Sequence, residues 1–199
     1  MKSNVCRIDN GTQDLAPILA ECERVAEYNG LSHKQALALR LLCEEMDGML
    51  PRLVDTFEGE LFIELTEGVC QVNISLTIPE ISSVKKEELI GIAKNQKNAY
   101  AVGIVGKIRD ALETFFLVGG EMGAFDATPI TFAPATGYSE GVDHAYLWSL
   151  SSYRSTVKED GESERWDELE KSVIASVADD VTVGVKGKTA QIVITKRFS

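Results

Sequence analysis

The sequence predicts an α+β protein, a two-layer sandwich in which helices lie on one face of a mixed, mostly antiparallel sheet. Three observations lead there. Two strand-like runs of alternating apolar and polar residues are joined through Glu67-Gly68, and a second pair of runs meets at Lys186-Gly187-Lys188. Apolar residues at helical spacing fill the stretches that precede them. With 199 residues, 44% hydrophobic and 26% charged, the chain has the length and composition of a single domain with a substantial core.

Residues 5–8 alternate as a first strand, ended by the turn signal Asp9-Asn10-Gly11. Leu15, Ile18, Leu19, Cys22, Val25 and Ala26 then predict a helix that starts near Thr12 and stops at Asn29-Gly30. Ser32-His33-Lys34-Gln35 reads as a capping box, opening a helix that runs to about Leu50, ahead of Pro51. On it Leu37, Leu41 and Cys43 alternate with Leu39, Leu42, Met46 and Leu50, so this helix must be covered on more than one side.

Residues 60–66 and 70–78 form an antiparallel hairpin with one buried and one solvated face. Pro79 ends it, a helix is predicted over 84–94, Asn95-Gln96-Lys97-Asn98 breaks it, and a further helix runs from about Gly103 to Val118. Glycines and prolines in 119–142 predict a long loop or irregular insertion, so that 119–163 stands apart from the rest. Asp143 caps a helix through about Val157, and 158–170 is a solvated charge run entering a last helix marked by Leu169, Val173, Ile174 and Val177. Residues 181–185 and 190–195 make the closing hairpin. No internal repeat is evident.

Lys plus Arg total 20 against 31 Asp plus Glu, a net charge of −11. That sign excludes an electrostatic grip on nucleic acid or on an anionic membrane and favours a basic partner or a small ligand. Cys6, Cys22, Cys43 and Cys70 are singly spaced, without a C-x-x-C pair or a His at ligand spacing, which predicts buried reduced thiols rather than zinc or a disulfide framework. The first residues hold no apolar signal core, and no stretch approaches the roughly 20 apolar residues of a membrane span, so the reading is cytoplasmic.

One stretch carries more than structure. Leu31-Ser32-His33-Lys34-Gln35-Ala36-Leu37-Ala38-Leu39-Arg40-Leu41-Leu42-Cys43-Glu44-Glu45-Met46, followed by a hairpin, resembles the helix bearing the acidic N-box of the histidine kinase-like ATPases, the Bergerat-fold superfamily, in particular its anti-sigma-factor serine kinase branch. The resemblance implies that fold over 1–118 and 164–199. In that family a Glu and an Asn four residues later share a helical face, the Glu near the γ-phosphate and the Asn holding Mg²⁺. Glu45 takes the Glu position here, as the catalytic residue if the chain is active, and Met49 stands where the Asn would be. A thioether cannot replace an amide oxygen on Mg²⁺, so the metal is not held in the family manner. Glu45 is either a group at a pocket floor or a helix-edge acid solvated beside the core.

The family's adenine-binding Asp-x-Gly-x-Gly is replaced by Pro79-Glu80-Ile81-Ser82-Ser83, where Glu80 would imitate the acceptor. Gly103-Ile104-Val105-Gly106-Lys107 looks like the lid glycines leading into a helix whose N-terminus faces phosphates. Gly103, Gly106 and Lys107 would then cradle an anion, although tight packing of helix on sheet explains the glycines equally well. The resemblance thus implies a regulatory module that binds ATP or ADP without kinase or ATPase turnover. The alternatives are an active ATP-dependent enzyme using Glu45 and a protein-binding scaffold that takes no nucleotide. His33 and His144 have no Ser or Cys nucleophile partner in any recognisable motif. The aromatic cluster Tyr146, Trp148 and Tyr153 is read as core or as a contact with a regulatory partner.

Overall fold

A computed structural model describes residues 1–10, 14–54, 56–77, 103–119, 145–160, 169, 172–186 and 188–198. The described chain runs β1 (Cys6–Asp9), α1 (Ala16–Tyr28), α2 (His33–Leu53), β2 (Glu58–Thr66), β3 (Val69–Thr77), α3 (Gly103–Gly119), β4 (Ala145–Ser149), α4 (Leu150–Asp160), α5 (Val173–Val177), β5 (Asp180–Lys186) and β6 (Thr189–Arg197). The strands form one six-stranded sheet in the order β1-β2-β3-β6-β5-β4. Where the sequence allows a mixed sheet, every pair among the described strands is antiparallel.

Local chemistry explains most boundaries. At the start of α2, Ser32 Oγ accepts the Gln35 amide at 3.4 Å and Gln35 Oε1 accepts the Ser32 amide at 2.8 Å, the reciprocal pair expected of a capping box. Asn29 and Gly30, the latter at φ 62°, end α1. That helix begins later than the periodicity predicts, with Pro17 in its first turn, where a missing N–H costs nothing. Pro51 does not stop α2: it removes the helical donor for the Asp47 carbonyl, but the Val54 amide still bonds the Leu50 carbonyl at 3.1 Å.

The expected helix from Asp143 is a correction. Residues 145–149 are strand β4, paired with β5 through a bulge between Tyr146 and Trp148, and the helix starts only at Leu150. Aromatic residues suit a pleated strand, and pairing with β5 overrides the helical spacing read from the sequence. The predicted helix over 84–94, the break at 95–98, and most of the 119–163 insertion and the 158–170 charge run fall outside the described residues.

The buried residues share one face of the sheet: Leu61, Ile63 and Leu65 on β2, Cys70, Val72, Ile74 and Leu76 on β3, Val181, Val183 and Val185 on β5, Ala190, Ile192 and Ile194 on β6. The buried stripes of the described helices join the same core, including Leu39, Leu42, Met46 and Leu50 of α2 and Ile104, Ile108 and Leu112 of α3. Gly59 lets β2 approach β3, since a Cβ there would collide with the Ser75 carbonyl oxygen.

The strand order reverses about its middle, and this reveals a repeat that the sequence does not advertise. Among the described elements the order β-α-α-β-β occurs twice, as β1-α1-α2-β2-β3 and as β4-α4-α5-β5-β6, with α3 preceding the second unit and the helical Leu169 between α4 and α5. A pseudo-two-fold axis normal to the sheet passes between Asn73 and Val193, which pair across the β3–β6 seam. It superposes β3 on β6 at a constant spacing of 120 residues, Val69 on Thr189 and Thr77 on Arg197. Along that alignment Gln71 meets Gln191, Val72 meets Ile192, Ile74 meets Ile194 and Ser75 meets Thr195.

Candidate functional site

The residues singled out in the sequence separate in space. On α2 the buried stripe is Leu39, Leu42, Cys43, Met46, Met49, Leu50 and Leu53. At about 100° per residue, Glu45 stands beside Met49 on one flank of that stripe, and Asp47 beside Cys43 and Leu50 on the other. Met49 itself is only 4% exposed and packs in the core. The position that would supply the family's Mg²⁺ ligand therefore holds a thioether inside the hydrophobic cluster, and the residues present do not fit the metal.

Helix α3 packs against α2, and the Arg109 Nη1 donates to the Arg52 carbonyl at 3.3 Å. Arg52 lies two turns beyond Glu45, roughly 10 Å along the axis, so the start of α3 and Glu45 border the same stretch of α2. Gly103 opens α3 at φ 74°, a conformation that favours glycine. Lys107 is half-buried one turn on, and Gly106 is buried. Gly103 and Lys107 thus remain together at the helix start while Gly106 turns inward. Glu80 lies outside the described residues.

The more enclosed hollow is elsewhere. A cavity of about 60 Å³ opens between the end of β1, the start of α1 and the last turns of α2, with Arg7, Asp9, Asn10, Asp14 and Asp47 around it and Phe57 at its wall. Asn10 Oδ1 accepts the Phe57 amide at 2.5 Å, which ties the β1 end to the entry of β2. Burial raises the Asp47 carboxyl above the usual carboxylate range. Asp47 lies two residues from Glu45 on a different face of α2, and no motif marks it in the sequence.

The four cysteines, unremarkable in spacing, all fall in the core. Cys22 on α1 and Cys43 on α2 share a hydrogen bond, and that bond together with burial pushes the Cys43 thiol well up. Burial, with Cys22 nearby, pushes Cys70 up to about 12. Burial leads the rise at Cys6, with Glu21 and Cys22 adding to it. Burial thus favours the protonated, unreactive thiol at Cys6, Cys43 and Cys70. Among the described residues no group of three or more His, Cys, Asp or Glu side chains gathers to hold a metal, and no helix is long and apolar enough to cross a membrane.

A shallower depression of about 50 Å³ lies on the sheet face opposite the helices, bounded by Phe62, Asn73, Ser75, Gln191 and Val193. Lys2 Nζ sits over the Phe62 ring, 3.7 Å from its centroid. Residues 1–3 reach this place because they extend along β2: the Ser3 amide bonds the Ile63 carbonyl at 2.8 Å and the Leu65 amide bonds the Met1 carbonyl at 2.8 Å. No protein-family model matches the chain, and comparisons with curated proteins and with solved structures find no significant match.

Proposed function

We propose that this protein is a binding module that acts through contacts with a regulatory protein partner and carries out no Mg-dependent phosphoryl transfer. The observation that supports this most is the packing of α2. The face on which the resembling ATPases hold their metal carries Met46 and Met49 in the core here, with exposures of 0% and 4%. Glu45 is left at the helix edge without the amide oxygen it would work beside. The hollows among the described residues, of about 60 and 50 Å³, are well below the roughly 300 Å³ at which small-molecule sites begin.

A nucleotide-binding reading, with the Bergerat fold behind it, keeps one observation in its favour. The start of α3, a helix of 17 residues, presents Gly103 and Lys107 beside the α2 surface that bears Glu45, and the positive end of a helix dipole attracts phosphate. Thermal unfolding with millimolar ATP or ADP, with and without Mg²⁺, separates the two. The binding-module reading expects no change in midpoint. A ligand at a hundredfold excess over its dissociation constant adds about 2.7 kcal/mol, or about 5–10 °C for a chain of this size. A rise of that order that Glu45→Gln abolishes would replace the module reading with an ATP-dependent one.

A further inference from the structure

The four cysteines come from four different elements, Cys6 from β1, Cys22 from α1, Cys43 from α2 and Cys70 from β3, yet all join one core cluster. Two of them touch. Cys22 and Cys43 stand at the midpoints of α1 (Ala16–Tyr28) and α2 (His33–Leu53), where those helices pack, and their thiols share a hydrogen bond. Sulfurs held at hydrogen-bond distance need only a small side-chain movement to reach the roughly 2.05 Å of a disulfide. Exposures of 2% and 0% shield the pair in the closed structure, so an oxidant meets it only when α1 lifts. That helix is placed to lift: it packs chiefly on α2 and β2, at the β1 side of the sheet. Its polar anchors lie at the surface, the Asn4 amide on the Glu21 carboxylate at 2.9 Å and Arg40 facing Glu23 at 3.7 Å. At 13 residues α1 is marginal without its packing, and opening it alone costs less than unfolding the whole chain.

We propose that Cys22 and Cys43 are a redox latch: a hydroperoxide oxidises them to a disulfide that fixes α1 to α2, and a small thiol releases it. When α1 opens, one thiol gives up its proton and its sulfur attacks an oxygen of the hydroperoxide. The O–O bond breaks, the sulfur becomes a sulfenic acid, and the other half of the peroxide takes up the proton and leaves as an alcohol or as water. The second sulfur then attacks the sulfenic sulfur as α1 closes. The S–O bond breaks, and the hydroxide leaves as water with the second thiol's proton. The two thiols have lost two electrons and the peroxide has gained them. Thiol–disulfide exchange with two equivalents of a small thiol reverses the change. Cys6 and Cys70 take no part, because the β-ladder holds their strands in place. The reduced protein keeps an outer helix that can lift, and the oxidised one has its first unit closed. This device is independent of the binding-module reading.

The test incubates the folded, full chain with hydrogen peroxide, then denatures, alkylates and digests it without reductant for mass spectrometry. Two of the four free thiols should disappear, and a peptide cross-link between Cys22 and Cys43 should appear that a reductant removes. The melting midpoint of the oxidised chain should rise by about 5–10 °C, because the bond closes a loop of about 20 residues in the unfolded state. Cys22→Ala and Cys43→Ala should each abolish the cross-link and the rise, whereas Cys6→Ala and Cys70→Ala should leave both. Mapping of the wild-type chain decides the matter even where a variant folds poorly. Four thiols still free under peroxide that oxidises the same chain in urea would overturn the proposal. So would a bond through Cys6 or Cys70, or one between two chains. A Cys22–Cys43 bond that leaves the midpoint unchanged or lowers it would overturn the latch as well.

Discussion

The two β-α-α-β-β units share a sheet but are held together by different chemistry. In the first, helices of 13 and 21 residues cover the sheet, and their contact is apolar and sulfur-rich, with Cys22, Cys43, Met46 and Met49 in the core. In the second, the two described helices have 11 and 5 residues, and polar groups tie them down. The Arg154 guanidinium bonds the carbonyls of Ala175 and Asp179, closing the end of α5. Asp180 accepts both the Ser151 amide, at 2.9 Å, and the Ser151 hydroxyl, at 3.1 Å, at the start of α4. Asp179 accepts the Arg197 amide at 2.5 Å and faces Lys196 at 3.4 Å. A short helix cannot bury enough apolar surface to fix its own position, so side-chain hydrogen bonds to backbone supply what area does not. The hairpins are less free to diverge, because both must meet at the seam. The hollow beside Asp47 is anchored in the first unit, while the depression behind the sheet straddles the seam between the two.

If the units share one core, equivalent truncations should cost equally. Ile74→Ala and Ile194→Ala remove residues that the axis superposes, 2% and 0% exposed. Each is expected to destabilise the protein by about 2–5 kcal/mol in chemical denaturation, with the two values within about 1 kcal/mol of each other. A loss below about 1 kcal/mol at either site would break the equivalence.

Helix caps should expose the asymmetry instead. Ser32→Ala removes half of a capping box on a long helix and should cost about 1 kcal/mol. The Ser172 hydroxyl accepts the Ala175 amide, at 3.3 Å, on a helix of 5 residues, and Ser172→Ala should cost about half as much or less. Equal costs would mean that α5 is as dependent on its cap as α2.

The smallest effect concerns Asp47. Its carboxyl binds a proton more readily in the folded state, because burial disfavours its charge. The folded state therefore holds more protons than the unfolded one, and this group's contribution falls as pH rises out of the ordinary carboxylate range. Asp47→Asn should raise the melting midpoint near neutral pH by about 1–2 °C, and the gain should vanish as pH falls into that range. A gain that persists in acid would assign the effect to something other than ionisation.

What could be read from the sequence follows from how local each signal is. The capping box at Ser32, the stop at Asn29-Gly30 and both hairpins are set by neighbours a few residues apart, and all appear where the residues place them. Strand β4 could not be read this way, because its pairing with β5 joins residues about 35 positions apart and outweighs the local helical spacing. The repeat escaped for a related reason: buried β residues need only be apolar and branched, so Val72 and Ile192 do one job without matching. At the candidate site, Glu45 and Met49 were legible as a helical pair, whereas the Asp47 hollow needs β1, α1 and α2 assembled. Phe62 with Lys2 needs residues 1–3 laid along β2, which no motif announces.

The β3–β6 seam has one more consequence, for the order in which the chain can fold. The β2–β3 and β5–β6 hairpins close over very short turns. The seam, by contrast, brings Thr77 against Thr189, and closing so long a loop costs entropy before any contact repays it. During synthesis the first unit leaves the ribosome with β3 complete and its outer edge bare over nine residues. Until β6 arrives, that edge is an open template for any extended chain nearby. The middle of the finished sheet is the most protected part of the molecule, and in the nascent chain it is the part most exposed to the wrong partner.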